Sequence, residues 1–193
     1  MFNQPSLTIR RALTSDAAAI QSIYRPYIEK TNYNLEVEIP SLESLRDRIL
    51  TTSQKYPFLV AEYQGRVIGF VYLSDFYDFP LLNAGLLSIY LAEDAPIRGV
   101  GQELYTLMEY LLVKQGKVQH IISSIIADND RSIRFHQKQG FNQILHISNL
   151  AHKGNDAVDV TWYHKPLAQA IPYMEETPIF DLASFSDLLQ ESF

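Results

Sequence analysis

The order of apolar and polar positions along the chain predicts strands and helices in alternation. Residues 7–12 (LTIRRA) alternate as a half-buried strand does. Capping side chains follow at residues 14–16, and behind them apolar residues recur at helical spacing: Ile20, Ile23, Tyr24, Tyr27 and Ile28. A second helix is predicted to start at Ser41, with Leu42, Leu45 and Ile49 on one face.

The centre of the chain predicts a hairpin and then strands separated by helices. YPFLVAEY and RVIGFVYLSDF flank the turn residues QG, and LLSIYLA has the pattern of the next strand. The helix after Gly101 has one apolar stripe and is predicted to stop near Gly116. VQHIISSIIA is typical of a buried strand, and a capped helix between Asn129 and Gly140 precedes the strands FNQILHIS and DVTWYH. This order predicts a mixed sheet in an α/β or α+β sandwich.

The composition permits a packed core and excludes cysteine chemistry. Hydrophobic residues make up 47% of the 193 residues and charged residues 20%, so disorder is not expected over most of the chain. The absence of cysteine excludes disulfides, thiolate metal sites and a cysteine acyl-enzyme. No secretory signal is visible, and no apolar run is long enough to cross a membrane, so we expect a cytoplasmic protein.

The net charge of −6 is concentrated at the C-terminal end of the sequence. After Lys165 there are five acidic residues and no Lys or Arg, which leaves 17 acidic and 16 basic residues before it. Neither part has the basic surface that nucleic acids require. We therefore predict a domain over residues 1–165 and an acidic extension over 166–193. Its apolar helical face would cover the body or a partner chain, and a homodimer is one such arrangement.

The sequence RGVG (98–101) joins a predicted strand to a predicted helix. Backbone N–H groups at a helix start have no partner inside the helix, and glycine lets an anionic group approach them. Arg98 would add a charge-assisted contact to the same group. Taken alone, the four residues favour a plain strand-to-helix turn in which glycine only relieves crowding. They form neither a Walker loop nor a complete dinucleotide fingerprint.

Two segments in this order resemble the GNAT acyltransferase superfamily. RGVG after a strand, followed after the next strand by ADNDRSIRFHQKQGF, is similar to that family's acetyl-CoA site. The resemblance covers residues 7–165 and is strongest to the branch that resembles phosphinothricin acetyltransferase. It implies a mixed, mostly antiparallel central sheet flanked by helices, in which a splayed strand pair binds CoA. The implied reaction is direct transfer of acetyl to an amine, with no metal.

The resemblance also implies roles for individual residues. The backbone of residues 89–91 would pair with pantetheine, residues 98–102 would line the pyrophosphate site, and Asn129 and Ser132 would flank the pantetheine. Together with His136, the implied cofactor-binding residues are Ile89, Tyr90, Leu91, Arg98, Gly99, Val100, Gly101, Gln102, Asn129, Ser132 and His136. His136 would protonate the departing thiolate, or be an ordinary histidine on a helix face. The Leu91 N–H would stabilise the tetrahedral oxyanion.

The chain departs from the family pattern at three places. Relatives in this branch carry a glutamate where this chain has Leu86, so the usual general base is missing. Pro96 stands where a polar phosphate contact is usual. The loop that usually holds cationic residues reads Asp75-Phe-Tyr-Asp-Phe79 here. If these acids line the acceptor site, they favour a cationic or aromatic amine over phosphinothricin. The alternative is that the acids face solvent and do not affect the choice of acceptor.

Glu38 is the leading replacement for the missing base, because it follows the first helix in a segment that borders the acceptor site in this branch. Glu93, Tyr90 and Tyr72 are weaker alternatives. Two functions stay open at this point. One is an acetyl-CoA-dependent N-acetyltransferase acting on a small-molecule amine. The other is a catalytically weak or inactive domain that binds acetyl-CoA and serves as a regulatory or interaction module.

Overall fold

The computed structural model describes residues 7–34, 36–76 and 83–167. The strands are β1 (Leu7–Arg11), β2 (Phe58–Tyr63), β3 (Arg66–Asp75), β4 (Ala84–Leu91), β5 (His120–Ile126), β6 (Asn142–Lys153) and β7 (Asp156–Pro166). The α-helices are α1 (Ala17–Glu29), α2 (Leu42–Lys55), α3 (Val100–Gln115) and α4 (Asp130–Lys138), and a 3-10 turn, Thr14–Asp16, precedes α1. The predicted order of elements is confirmed.

The seven strands form one sheet in the order β1-β2-β3-β4-β5-β7-β6. Every neighbouring pair is antiparallel except β4 and β5, which are parallel because α3 crosses between them. The mixed, mostly antiparallel sheet is therefore confirmed. β6 and β7 extend further than predicted, to a turn at Gly154 with φ of 62°. The prediction was short because both faces of β6 are largely exposed, which removes the alternation that marks a strand.

Helices cover both faces of the sheet and divide the core into two main clusters. α3 packs on one face, where Leu104, Met108 and Leu112 are almost completely buried with Leu87 of β4. α1 and α2 pack on the other face, where Ile20 and Leu45 meet Phe70 of β3. Consecutive β4 residues point to opposite faces, as the pleat requires: Ile89 and Leu91 pack against the α3 cluster and Tyr90 against the α1 cluster.

The parallel strands β4 and β5 separate after a short ladder. They pair at Ala84–His120, Gly85–Ile121 and Leu86–Ile122. Beyond that point residues 87–91 and 123–126 continue as strands without pairing to each other. The splayed strand pair is confirmed, and we call the point where the ladder ends the fork.

The described chain ends just after β7, where Leu167 N–H donates to the carbonyl of Gln119 at 2.8 Å. The acidic extension predicted for residues 166–193 lies outside the described residues from 168 onward, so the division at residue 165 stays a prediction. In the loop after β3, the predicted acceptor residues Tyr77, Asp78 and Phe79 also lie outside the described residues.

Candidate active site

A cleft of about 490 Å³ opens at the fork. Its walls are residues 87–91 of β4 and 123–125 of β5. α1 and the segment after it contribute Tyr27, Thr31 and Tyr33, whereas the start of α3 and one face of α4 close the other side. The cleft therefore lies between two strand segments that do not hydrogen-bond to each other.

The hydrogen-bond pattern with β3 determines which β4 backbone groups face the cleft. Ala92 N–H donates to the carbonyl of Ile68 at 2.9 Å, and the antiparallel register continues as Leu91–Gly69 and Tyr90–Phe70. Because hydrogen-bonded pairs alternate in such a ladder, the backbone of Tyr90 bonds to β3. The N–H and C=O groups of Ile89 and Leu91 point instead toward the open side.

The carbonyl of Leu91 has a partner from the opposite wall of the cleft. Tyr27 on α1 donates its hydroxyl to this oxygen at 2.8 Å. Burial raises the pKa of Tyr27, so its hydroxyl stays protonated as a donor. The bond fixes the end of β4 and leaves the Leu91 N–H as the group directed into the cleft.

The turn into α3 presents bare backbone to the cleft. Gly99 caps the helix with φ of 88°, a left-handed conformation that favours glycine. The amides of Gln102 and Glu103 make the first bonds of the helix, to Gly99 O at 2.9 and 3.1 Å. The amides that precede them are therefore free of helical partners. A Cβ on Gly101 would lie in van der Waals contact with Leu91 at 3.4 Å, so only a side chain longer than that of alanine would extend into the space between α3 and the strand.

Two glutamine side chains join the start of α3 to the end of α4. Gln102 Nε2 donates to Gln139 Oε1 at 2.8 Å, and Gln139 Nε2 donates to Gln102 Oε1 at 2.6 Å. Both amides are satisfied by this exchange. Gln102, which also lines the cleft, thus holds the two helices at a fixed separation around it.

The α4 helix begins at Asn129, whose side chain accepts the Ser132 N–H at 3.1 Å. Asn129, Ser132 and His136 all line the cleft. The helix ends at Gln139, and Gly140 follows with φ of 85°, so the predicted boundaries of the capped helix are confirmed. The short helix places one side of its residues along the unpaired edge of β5.

His136 is buried, with 3% of its surface exposed. Its Nδ1 lies 2.8 Å from the carbonyl of Ser132, which can only accept, so Nδ1 carries the proton. Nε2 then accepts the hydroxyl of Ser123 at 2.8 Å. Burial lowers the pKa of His136 below its ordinary value of 6.5, with the Ser132 carbonyl opposing, and the imidazole is neutral at pH 7.

Tyrosine rings form the wall on the α1 side. Tyr90 contacts Tyr24 edge-on at 4.6 Å between ring centroids and Tyr27 at 5.0 Å. Asn34 Nδ2 donates to the Tyr90 hydroxyl at 3.2 Å. Burial raises the pKa of Tyr90 well above its ordinary value, and nearby Tyr24 and Tyr72 add to the effect, so Tyr90 stays neutral. The three rings of this wall therefore present neutral aromatic surface.

Several residues expected in the site line the cleft, and some do not. The lining includes Ile89, Tyr90, Leu91, Gly99, Gly101, Gln102, Asn129, Ser132 and His136. Arg98 is exposed at the turn, and the side chain of Val100 is 1% exposed in the α3 core, so neither side chain lines it. Leu86 occupies the last paired position before the fork and lies just outside the lining.

Glu38 is exposed and does not line the cleft. The neighbouring carboxylate that turns inward is Glu36, which accepts the Tyr24 hydroxyl at 3.2 Å and forms an ion pair with Arg48 at 3.1 Å. The segment has no regular secondary structure here, so its sequence offers no period from which the inward position could be inferred. The role of Glu38 as a base stays a prediction.

Asp75 is not an isolated acid at the acceptor loop. It accepts hydrogen bonds from Lys55 and, at 2.7 Å, from the Tyr56 hydroxyl, both at the end of α2. The hydrogen bond from Lys55 lowers the pKa of Asp75, and that from Tyr56 adds to the effect. The loop sequence contains no cation, but Asp75 pairs with one that comes from a helix distant in sequence.

Sequence reasoning missed Ser123 and Tyr27 as residues of the site. Both line the cleft and hydrogen-bond across it. Tyr27 had been assigned to the apolar face of α1, and Ser123 was one small residue inside a buried strand. A serine at the centre of the apolar run IISSII was the available signal, since a buried hydroxyl requires a partner.

Within the described ranges, no group of three or more histidine, aspartate or glutamate residues could hold a metal ion. The described helices also include none that is long and apolar enough to cross a membrane.

Comparisons with known proteins agree with this geometry. The chain is 26% identical over 176 residues to phosphinothricin N-acetyltransferase of Streptomyces viridochromogenes, covering 89% of this chain and 93% of the relative. It is 27% identical over 169 residues to the enzyme of that name from Alcaligenes faecalis, covering 83% and 82%.

Solved structures with the same architecture include acetyltransferases of several kinds. Phosphinothricin acetyltransferase from Sinorhizobium meliloti in complex with acetyl-CoA has a TM-score of 0.79 and 25% identity, covering 90% of this chain and 95% of that one. Ribosomal-protein-alanine N-acetyltransferase from Brucella melitensis has a TM-score of 0.78 and 28% identity, covering 82% and 99%. The family model described as "Acetyltransferase (GNAT) domain" matches residues 9–162. The chain belongs to the GNAT family of acetyltransferases.

Proposed function

We propose that the protein transfers acetyl from acetyl-CoA directly to the amine of a small molecule that is not phosphinothricin. One observation carries this proposal: at the fork, the open backbone of Ile89 and Leu91 runs toward the bare N-terminal turn of α3. Acetyl-CoA is consumed in each turnover and is a substrate rather than a resident cofactor. Acetyl-CoA is named in the S. meliloti complex.

The residues of the cleft suit the parts of such a substrate. Free amides at the start of α3 and the positive end of its dipole attract the pyrophosphate. The outward N–H and C=O groups of Ile89 and Leu91 can pair with the amides of pantetheine. The N–H groups of Ile89 and Leu91 are the two donors available to the oxyanion that forms when the amine attacks the thioester, and the bond from Tyr27 to the Leu91 carbonyl fixes the strand that carries them.

The acceptor enters between α1 and β4 in this proposal. The residues that α1 and the segment after it contribute to the lining are Tyr27, Thr31 and Tyr33, none of them cationic. Arg48, a guanidinium near this wall, pairs with Glu36, and the Lys153 ammonium donates to the carbonyls of Thr31 and Asn34. The cations in the lining, Arg131 and Lys138, lie on α4. An acceptor with acidic groups would therefore lose hydration without gaining a counter-ion from these residues. A small amine with an aromatic or apolar body fits this wall better.

A second function is supported by Leu86, which supplies no carboxylate at the position where relatives in this branch carry one. A domain that binds acetyl-CoA without turning it over would regulate or contact another protein. Both functions require binding of acetyl-CoA, which at 100 times its dissociation constant should stabilise the fold by about 2.7 kcal/mol. Turnover separates them from each other.

The test measures thermal unfolding with and without acetyl-CoA and then thiol release across a panel of amines. The panel contains aromatic amines, polyamines and acidic amino acids, including phosphinothricin. Stabilisation with thiol release matched by an acetylated amine supports the enzyme. Stabilisation without release from any amine favours the binding module. No stabilisation, or a preference for phosphinothricin, contradicts the proposal. The homodimer and the cytoplasmic location stay predictions.

A further inference from the structure

Ser123 occupies a position with no assigned role at the fork. It is the first β5 residue after the ladder ends, and its hydroxyl lies 3.4 Å from the carbonyl of Leu87, the first β4 residue that does not pair with β5. The side chain is 1% exposed and lies on the floor of the cleft. Its other neighbour is His136 Nε2 at 2.8 Å. The hydroxyl has one proton and two acceptors within reach.

The two acceptors allow Ser123 to serve both protonation states of His136. When the imidazole is neutral, the hydroxyl donates to Nε2. When Nε2 carries a proton, the ring donates to Ser123 Oγ, and the hydroxyl turns to the carbonyl of Leu87. Nδ1 keeps its bond to Ser132 O in both states. A proton can therefore arrive at Nε2 and leave again without a buried polar atom losing its partner.

The reacting atoms would lie near this hydroxyl. The Ile89 N–H faces the open side and lies about 7 Å from Leu87, at about 3.3 Å per residue along the strand. If the thioester oxygen binds at the Ile89 N–H, the attacking nitrogen and the departing sulfur are both bonded to the carbonyl carbon beside it. One proton-carrying group can then reach both atoms. In the serine proteases, one imidazole likewise takes the proton of the nucleophile and returns it to the leaving group.

We propose that Ser123 and His136 together carry the proton of acetyl transfer, in place of the carboxylate absent at Leu86. As the C–N bond forms, the amine gives a proton to Ser123 Oγ, and the Ser123 proton passes to Nε2. As the C–S bond breaks, Ser123 protonates the sulfur and recovers its proton from Nε2. The products are an amide and the CoA thiol, and both side chains return to their initial state.

This role deepens the proposed function and rests on it. Burial keeps His136 neutral before the reaction, as a proton acceptor must be. The charged residues lining the same cleft are Glu93, Arg131 and Lys138, and Lys30 pairs with Glu93 at 3.7 Å. The other groups in contact with the ring are uncharged: Phe135 and Phe141 lie 5.3 and 5.1 Å from it, centroid to centroid.

The experiment compares Ser123→Ala with Ser123→Thr, which keeps the hydroxyl, and with a matched control. Thr161→Val is that control, because Thr161 is also a buried hydroxyl within 2.9 Å of a histidine, His146, on the same sheet outside the cleft. Ser123→Ala should lower kcat by roughly 100-fold or more, within the scale of general acid–base catalysis, with KM for acetyl-CoA within about twofold. Ser123→Thr should recover most of the rate, and Thr161→Val should match the wild type.

A second readout does not depend on turnover. NMR titration of the His136 ring should show a lower pKa in Ser123→Ala than in the wild type, because the charged ring then has an unpaired buried N–H. An unchanged pKa, or a kcat for Ser123→Ala equal to that of Thr161→Val, would overturn the relay. If the wild type acetylates no amine, the proposed function fails, and the titration alone decides whether Ser123 and His136 share a proton.

Discussion

The two walls of the cleft are built by different means. The wall formed by β4, α3, β5 and α4, which we call the cofactor wall, consists of strand-to-helix turns that are continuous in sequence. The opposite wall, formed by α1 and residues 31–34 and called the acceptor wall, is held by bonds between distant residues. Tyr27 bonds to Leu91, and Lys153 Nζ donates to the carbonyls of Thr31 and Asn34 at 2.7 and 3.0 Å. Changes in the first wall should abolish binding, whereas changes in the second should tune turnover.

The largest effect is expected at the start of α3. In Gly101→Leu, the side chain would enter the gap bounded by Leu91 and Phe135, which lie 3.4 and 3.6 Å from a Cβ at this position. We expect acetyl-CoA affinity measured by calorimetry to fall by roughly 100-fold, equivalent to about 2.7 kcal/mol. Lys114→Leu, on the exposed side of the same helix, is the control. Binding retained in Gly101→Leu would mean that acetyl-CoA does not use this turn.

The pH dependence of turnover tests the neutral state of His136. Burial places the pKa of this ring below 6.5, so the proton acceptor is available above that value. The rate should fall about tenfold per pH unit below the lowered pKa, in addition to any loss from protonation of the amine. His136→Gln should keep only the part due to the amine. Identical pH profiles for the two proteins would exclude a titrating role for His136.

The same ring should also make folding stability depend on pH. The unfolded state binds a proton near pH 6.5, whereas the native state resists it because the ring is buried. The His136 contribution is therefore complete above pH 6.5 and is lost as the pH falls toward the native pKa. Urea unfolding at pH 7.5 and 5.5 should show a larger loss in the wild type than in His136→Gln. Equal losses would contradict the sign.

Tyr27→Phe removes a hydrogen bond that joins the two walls, because the Tyr27 hydroxyl belongs to the acceptor wall and the Leu91 carbonyl to the cofactor wall. Losing a hydrogen bond of about 1 kcal/mol that fixes the end of β4 should lower kcat roughly fivefold. The dissociation constant of acetyl-CoA should stay within about twofold. Tyr63→Phe, on β2 away from the cleft, is the control. Equal loss of affinity and rate would show that Tyr27 acts on binding.

Lys153→Met should have the smallest effect. The change removes the ammonium that ties the β6–β7 hairpin to residues 31–34 and keeps most of the side-chain volume. We expect KM for the amine to rise about threefold with acetyl-CoA affinity unchanged, which is the pattern of lost acceptor binding. Lys117→Met, an exposed lysine before β5, should change neither. A loss of acetyl-CoA affinity in Lys153→Met would remove the distinction between the two walls.

The elements of the cofactor wall could be predicted because their signals are local, and the resemblance to the GNAT family assigned those elements to acetyl-CoA. The strand, the glycines at 99 and 101 and the cap at Asn129 each follow from neighbouring residues, and the order of elements then requires α3 to cross between parallel strands. The acceptor wall could not be predicted in the same way. Tyr27 and Leu91 are 64 positions apart, and Lys153 is more than 100 positions from its carbonyl partners. Only packing brings these groups together.

Pairing between distant residues also explains which contacts of the site the sequence could not supply. The sequence did not show that Asp75 pairs with Lys55, which is 20 positions away. The inward direction of Glu36 could not be inferred either, because it is set by contacts with Tyr24 and Arg48 rather than by a local period. Ser123 was missed because its partner His136 lies on the following helix.

The most direct test of acetyl transfer in this cleft follows both products in one reaction. The protein is incubated with acetyl-CoA and the amine panel, and mass spectrometry quantifies acetylated amine while a thiol reagent quantifies free CoA. The expected result is equal amounts of both products from an amine without acidic groups, and neither from Gly101→Leu. Free CoA without acetylated amine, or equal turnover in Gly101→Leu, would contradict acetyl transfer at the fork.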